Sequence, residues 1–395
     1  MGTPKTSYFA LAFFCAFSVA NIYYNQPMLE LFAKDFGVDE KQAGSVAMFV
    51  QLAYAAGLVF FVPLGDRMKR RRLLIILLGA NVVASAVASF SQTIGQLITI
   101  NIVIGMTSVG AQIIIPMVSL MATPEQRGRA VATVMSGLMA GVLFGRILSG
   151  IVGEHFGWRA MYIVAAMLDL VLLIMIPRLL PDNSFINKPI PYCTLLKSLV
   201  GYFIKERELR LSCFCGAMMF GSFSALWGGL AFLLALPPYR FGSDIVGSFG
   251  FAGMAGIIAT PYIGKLADRY SFRTIVLAGG VLALLGFGAV YFSHHYLIAL
   301  IVGIILLDIG GRASLVGNQL RALALSEDAR SRLNTVFMCS YFIGGAIGTR
   351  IGAEISIVYG WFGIALMGII LSCLVILLNV KERRPAKNLK FDCKS

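Results

Sequence analysis

Leu64-Gly65-Asp66-Arg67 and Leu266-Ala267-Asp268-Arg269 are two short charged loops, each set between long apolar runs. Their aspartates lie 202 positions apart, about half of the 395 residues, and other landmarks recur at nearly the same interval. Arg129 matches Arg332, Arg146 matches Arg350 and Trp158 matches Trp361, with offsets of 203 or 204. A near-constant interval at four separated places argues for one ancestral half copied in tandem, both copies running in the same direction.

The runs around those loops are too apolar for a soluble globule. Hydrophobic residues make up 58% of the chain and charged residues 13%, with a mean hydropathy of +0.82. So little polar surface belongs in lipid. A helix needs roughly 20 apolar residues to cross the hydrocarbon core. Reading between charged punctuation predicts twelve such segments, six per half: 8–29, 44–64, 73–90, 97–122, 130–153 and 160–180, then 211–236, 245–264, 274–293, 297–322, 335–358 and 361–380. Long continuous runs favour helices, because barrel strands alternate over about 10 residues. The expected fold is an all-α membrane protein of twelve transmembrane helices, arranged as two parallel-repeat six-helix bundles.

The net charge of +14 raises the question of a nucleic-acid partner, and the positions of Lys and Arg answer it. Loops at one end of the predicted helices hold 25 of the 33 basic residues; those at the other end hold 4. That asymmetry is the positive-inside rule, which puts both termini in the cytoplasm and makes the basicity topological, with no nucleic acid implied. The first apolar stretch runs into Asn21-Ile22-Tyr23-Tyr24-Asn25-Gln26-Pro27 and is expected to be kept as helix one rather than removed as a signal.

Residues 181–210, with Pro189, Pro191 and five basic side chains, form the longest polar stretch. They are expected to be the cytoplasmic linker between an N-terminal bundle (1–180) and a C-terminal bundle with a basic tail (211–395). Within the linker, 195–203 suits either a helix lying on the membrane or a plain tether. The seven cysteines suggest neither a disulfide framework nor a metal site; Cys213 and Cys215 read as small packing residues. His155, His294 and His295 fall in or near loops of the other end, and no catalytic triad or phosphate-binding glycine loop is visible. An enzyme, a cofactor and an ATP-driven pump are not expected.

With those residues in view, the two charged loops resemble the signature loop of the major facilitator superfamily, roughly Gly-x-Leu-Ala-Asp-Arg-x-Gly-Arg-Arg. The second copy keeps Gly264, Leu266, Ala267, Asp268 and Arg269, with Ser271 at the second glycine; the first keeps Leu64, Gly65, Asp66, Arg67 and Arg70, with Val62 and Lys69 at the glycine positions. The resemblance implies a conformational gate at Asp66, Arg67, Arg70, Asp268 and Arg269. Helix five, with Gly137, Gly141, Gly145, Gly150 and Gly153, resembles the glycine-rich motif of the family's antiporters, although Arg146 stands where proline is usual. Residues 124–129 and 327–332 look like paired loops of bacterial drug- and sugar-efflux members. Such likenesses imply export of a solute in exchange for protons, from a monomer in the bacterial inner membrane; a proton-coupled importer and a transport-dead sensor of the same fold are the alternatives.

A charge in mid-membrane costs at least about 2.5–3.5 kcal/mol, so each one must face water or a partner. Helix ten carries Asp308 and Arg312, and helix eleven Arg350 and Glu354, each pair one turn apart on a shared face. Asp308 or Glu354 is a candidate proton site; each pair reads equally as a static salt bridge. Asp169 on helix six is a weaker candidate. Arg146, Arg312 and Arg350, with the polar side chains Asn21, Tyr24, Asn25, Gln51, Gln112, Trp227 and Asn318, are the candidate solute contacts. Each amide could equally be an interhelical hydrogen bond.

Overall fold

The computed structural model describes residues 8–122, 126–180, 192–326 and 329–381, nearly all of them helical. Ten stretches among them are long and apolar enough to cross a membrane, and Tyr8–Ala20 is a shorter apolar helix. The longest, Arg330–Lys381, is two helices joined at Gly360. With that stretch counted as two and Tyr8–Ala20 as one, the described residues hold twelve membrane segments. Helix one is Tyr8–Ala20, helix two Glu40–Phe60, helix three Arg70–Ala88, helix five Arg127–Phe156 and helix six Trp158–Leu179. Helix four is built from Ile94–Thr107 and Gly110–Met121. In the second half, helix seven is Arg207–Ala235, helix nine Phe272–Tyr291 and helix ten Leu297–Leu323. Helix eight comprises Ser243–Ser248, the tight turn Phe249–Gly253 and Met254–Arg269. Helices eleven and twelve are 330–359 and 361–381.

Local chemistry explains several ends. Asp39 caps helix two by accepting from the Gln42 N–H at 2.6 Å, and Ser271 caps helix nine through Thr274 at 3.2 Å. Helix five passes into helix six through Gly157 (φ +83°), and helix eleven into helix twelve through Gly360 (φ +57°); each is followed by the tryptophan of the repeat. A left-handed residue is cheap only for glycine, so these abrupt joints fall where glycine stands. Helix one differs from expectation: it ends at Ala20, and residues 21–28 run on as turns before a short helix, Leu29–Phe36. Pro27 removes a backbone donor, and Asn21, Asn25 and Gln26 offer hydrogen bonds that compete with helix continuation. The linker contains a helix, Tyr192–Lys205, whose Tyr192 hydroxyl donates to the Phe60 carbonyl of helix two at 2.8 Å. Residues 181–191 and the tail 382–395 lie outside the described residues.

Within each half, small residues bring backbones together. A Cβ built at Gly137 or Gly141 of helix five would run into the carbonyl of Ala12 or Ala16 on helix one. Gly344, Gly348 and Gly352 of helix eleven meet Ala217, Gly221 and Ala225 of helix seven in the same way. With no hydrophobic force between helices in lipid, such close van der Waals packing holds the bundle.

Among the described residues, hydrogen bonds and an ion pair join the halves at the end poor in Lys and Arg. Helix two meets helix eleven there: Lys41 Nζ lies 3.5 Å from Glu354, and Arg350 donates to the Lys41 carbonyl and the Ser45 hydroxyl. Gly44 abuts Ala353, and deeper in the bilayer Gln51 donates to Thr349 at 2.9 Å. Helix five meets the start of helix eight, where Ser243 donates from its hydroxyl to the Gly150 carbonyl at 2.9 Å and from its N–H to Glu154 at 2.7 Å.

Gly141→Val and Gly348→Val are each expected to destabilise the protein by about 1–3 kcal/mol, because a branched side chain cannot fit against a neighbouring backbone. Gly79→Ala, where nothing lies within 4 Å, should leave the melting point in detergent nearly unchanged. Thermal unfolding of the three variants beside the unmodified chain tests this, and equal losses at all three sites would refute the packing account.

Candidate functional site

A cavity lies between the halves, walled by helices one, two, four, five, seven, ten and eleven. Its polar groups are Tyr23, Tyr54, Gln112, Arg146, Asp308, Arg312 and Tyr341; the rest is apolar, notably Phe220, Phe223, Phe342 and several methionines. Both repeats contribute, so the site exists only where the halves face one another.

Arg146 sits at the back of this cavity, 4% exposed. Its Nε donates to Gln26 in the turns after helix one at 2.9 Å. The guanidinium also lies 3.9 Å from the Trp227 ring centre, 4.9 Å from Tyr23 and 5.6 Å from Phe223. A desolvated cation–π contact is worth about 2 kcal/mol. Three rings and an amide thus hold a charge that hydrocarbon alone would expel.

Asp308 is the buried carboxylate of the site, 6% exposed. Its Oδ2 has no hydrogen-bond partner. Arg312, one turn along helix ten, does not come within ion-pair distance among the described residues, although it and Arg146 are the charges near enough to act on Asp308. On the other side stands the backbone of helix eight: a Cβ built at Gly253 would be 2.9 Å from Oδ2, and one at Gly256 would be 3.1 Å from Oδ1. The Tyr54 hydroxyl is buried beside the Gln112 side chain.

Of the residues singled out from sequence, Gln112, Arg146, Asp308 and Arg312 come together in the cavity wall. The others go elsewhere. Asn21 donates to both oxygens of buried Asp169, at 3.2 and 3.0 Å, tying helix one to helix six. Gln51 bridges to Thr349, and Asn318 accepts from Arg321 at 2.5 Å, with Ser212 and Asn379 holding the same guanidinium. Tyr24 and Asn25 are buried off the cavity wall, and Trp227 stands behind Arg146.

The pair expected within helix eleven does not form. Arg350 and Glu354 both turn to Lys41 and its neighbours in the other half, because helix two packs against the face that they share. Glu354 is half exposed at the sealed end, away from the cavity.

At the signature loops, Arg70 Nε donates to the Gly65 carbonyl at 3.0 Å and closes the turn, while Arg67 and Arg269 are exposed. The side chains of Asp66 and Asp268 lie outside the described residues, as do Pro124, Glu125, Glu327 and Asp328. No group of three or more metal-ligating side chains occurs among the described residues.

Sequence reasoning missed the aromatic lining. Tyr341 stacks on Phe220 at 4.0 Å and 10°, and Tyr54 meets Phe342 at 4.5 Å. Phe220, Phe223 and Trp227 recur at three- and four-residue steps on helix seven, a signal that would have placed them on one face.

A sealed end, a cavity at the seam and twelve helices in two like halves describe a carrier. The family model of the Major Facilitator Superfamily matches residues 9–259 and 212–392. The chain belongs to this superfamily. It is 36% identical over 351 residues, 89% of each chain, to the putative uncharacterized transporter YgaY of Escherichia coli (strain K12). It is 32% identical to a probable transporter of Streptomyces coelicolor, over 90% of this chain and 82% of that one. Among solved structures, the nucleoside transporter NupG superposes with a TM-score of 0.75 at 13% identity, over 95% of this chain and 98% of that chain. A bacterial homologue of the human lysosomal transporter Spinster, inward-facing and unoccupied, gives 0.71 at 13% identity over 96% of both. These two likenesses concern the fold alone. As a superfamily member with relatives named as transporters, the chain is a multi-pass membrane transporter and not an enzyme.

Asn21→Ala is expected to destabilise the protein by about 1–3 kcal/mol, since it leaves the Asp169 carboxylate buried without a donor. Removing both partners, as in Asn21→Ala with Asp169→Leu, should recover most of that loss. A double-mutant cycle of melting temperatures measures the coupling, and strictly additive effects would contradict it.

Proposed function

We propose that the chain moves a small organic solute across the bacterial inner membrane by alternating access, with a proton on Asp308 as the coupling ion. The observation that carries this reading is a cavity shared by both halves that holds a buried carboxylate without a partner. By the positive-inside rule the basic loops mark the cytoplasmic side, with both termini there. The sealed end is then the outer one, and the described state is closed to the outside.

The halves, 1–180 and 211–395, are proposed to rock as bodies about the linker 181–210 in a monomer. Opening outward must break the contacts of Arg350, Lys41, Ser45, Glu354, Ser243 and Glu154. Asp66, Arg67, Arg70, Asp268 and Arg269 are proposed to close the cytoplasmic end in exchange. Glu354 belongs with this outer gate, not with the proton site: its pairing with Lys41 is solvent-exposed and worth about 0–1 kcal/mol, a strength that permits release on every cycle.

Export by proton antiport is the direction that the glycine spacing of helix five favours. Uptake is the second reading, and the excess of arginine over carboxylate in the cavity favours it. An acid-outside gradient imposed on vesicles of known sidedness separates them: solute accumulates inside for uptake and is driven out for antiport.

In proteoliposomes, Asp308→Asn should abolish solute-triggered proton flux while counterflow of solute persists; unchanged proton flux would move the coupling site elsewhere. Arg350→Ala should weaken the outer seal. A cysteine introduced at Met139 in the cavity wall is then expected to react several-fold faster with an impermeant maleimide added from outside, and an unaltered rate would count against the gate.

A further inference from the structure

We infer that the solute is an organic anion with an apolar, ring-bearing body, and that Arg312 receives its acid group. The inference rests on the carrier reading above and adds the class of substrate. The cavity wall holds two guanidinium groups, Arg146 and Arg312, against one carboxylate, Asp308. With Asp308 ionised the wall carries one positive charge in excess; with Asp308 protonated, two. Uncompensated charge at this depth is costly, and a negatively charged solute supplies the missing partner. An ammonium group would have to approach two guanidiniums, and a neutral solute would leave the excess in place.

The two arginines are not equivalent. Arg146 is engaged by Gln26, Tyr23, Phe223 and Trp227. Arg312 makes no hydrogen bond, ion pair or ring contact among the described residues and is partly exposed in the cavity wall. Its planar fork matches a carboxylate in two parallel hydrogen bonds. The Tyr54 hydroxyl, beside Gln112 in the same wall, offers a further donor. Around these groups, the stacked Phe220 and Tyr341, together with Phe223, Phe342 and Met338, suit a flat apolar body.

Asp308 makes the binding proton-dependent. The charged and titratable groups facing it are Arg312 on its own helix, Arg146 from helix five, Tyr23 from helix one and Tyr341 from helix eleven. Helix eight brings its backbone at Gly253 and Gly256 against it, helices two and four add Tyr54 and Gln112 to the wall, and helix seven lines the wall with Met219, Phe220 and Phe223. An ionised Asp308 competes with the solute for Arg312; a proton on Asp308 withdraws that competitor. Proton and anion therefore favour one another's binding by the same factor. Loading on the same leg of the cycle is symport, which an inward proton gradient turns into uptake.

The test uses the purified full chain in lipid nanodiscs. Melting shifts are titrated with benzoate and phenylacetate, with the matched neutral amides and with benzylamine, on the acid and the alkaline side of neutrality, where both acids remain ionised. The carboxylates are expected to bind at least about tenfold tighter than the amides, and tighter on the acid side. Arg312→Gln should erase the preference and Arg312→Lys should keep part of it. Asp308→Asn, which holds the site in its uncharged form, should bind carboxylates on the alkaline side as tightly as the unmodified chain does on the acid side. Equal binding of the amides, preference for benzylamine, no shift with either carboxylate, or weaker carboxylate binding in Asp308→Asn would each overturn the inference. Proton-coupled flux of a neutral or cationic solute, with no response to carboxylates, sinks the anion class and leaves the carrier standing. Carboxylate binding that fits these expectations but moves no protons in vesicles sinks the coupling and leaves the anion site.

Discussion

A charge kept inside the hydrocarbon must find its partner within the protein, and the arrangement of this molecule follows from where those partners are. Arg146 is held at the seam by an amide and three rings. Asp169 is buried within the N-terminal half and satisfied by Asn21. Asp308 differs from both, because one of its oxygens is buried with no donor. Satisfied charges fix structure, whereas the unsatisfied one lines the cavity that the two halves share.

The packing divides the labour in the same way. Helix one lies on helix five, and helix seven on helix eleven, at backbone contact through Gly137, Gly141, Gly344, Gly348 and Gly352. Interlocked surfaces of this kind resist sliding. Among the described residues, hydrogen bonds join helix two to helix eleven and helix five to helix eight across the seam, together with a half-exposed ion pair.

Much of this was legible in the sequence, for identifiable reasons. Hydropathy and the repeat set the number of crossings, because each depends only on residues along one segment. Gly157 and Gly360 sit where the chain reverses, and the tryptophans that mark the repeat follow them directly. Pairings across the seam were not legible. Arg350 and Glu354 share a helix face, but which neighbour covers that face is set by tertiary packing, and helix two covers it. The aromatic lining was hidden for a related reason: Phe220 is buried at the cavity while Phe144 is 58% exposed on its helix, and nothing in the residue type tells a cavity wall from a lipid-facing surface. Asn21 and Gln51 read as polar groups in need of a partner, and the sequence could not say that the partners were Asp169 and Thr349 rather than a solute.

Helix eight connects the two functions that this division separates. Its first turn builds part of the outer seal, with Ser243 on Gly150 and Glu154, and Gly247 against the Arg146 backbone. One to two turns further on, Gly253 and Gly256 lie against Asp308 with no side chain between. In the proposed cycle, a tilt of helix eight as one body that frees Ser243 from helix five also changes how closely its backbone covers the Asp308 carboxylate. That cover keeps water from the carboxylate. In the proposed cycle the seal and the proton site are thus coupled through one short stretch of backbone, so that opening the outer end and hydrating Asp308 follow from the same displacement.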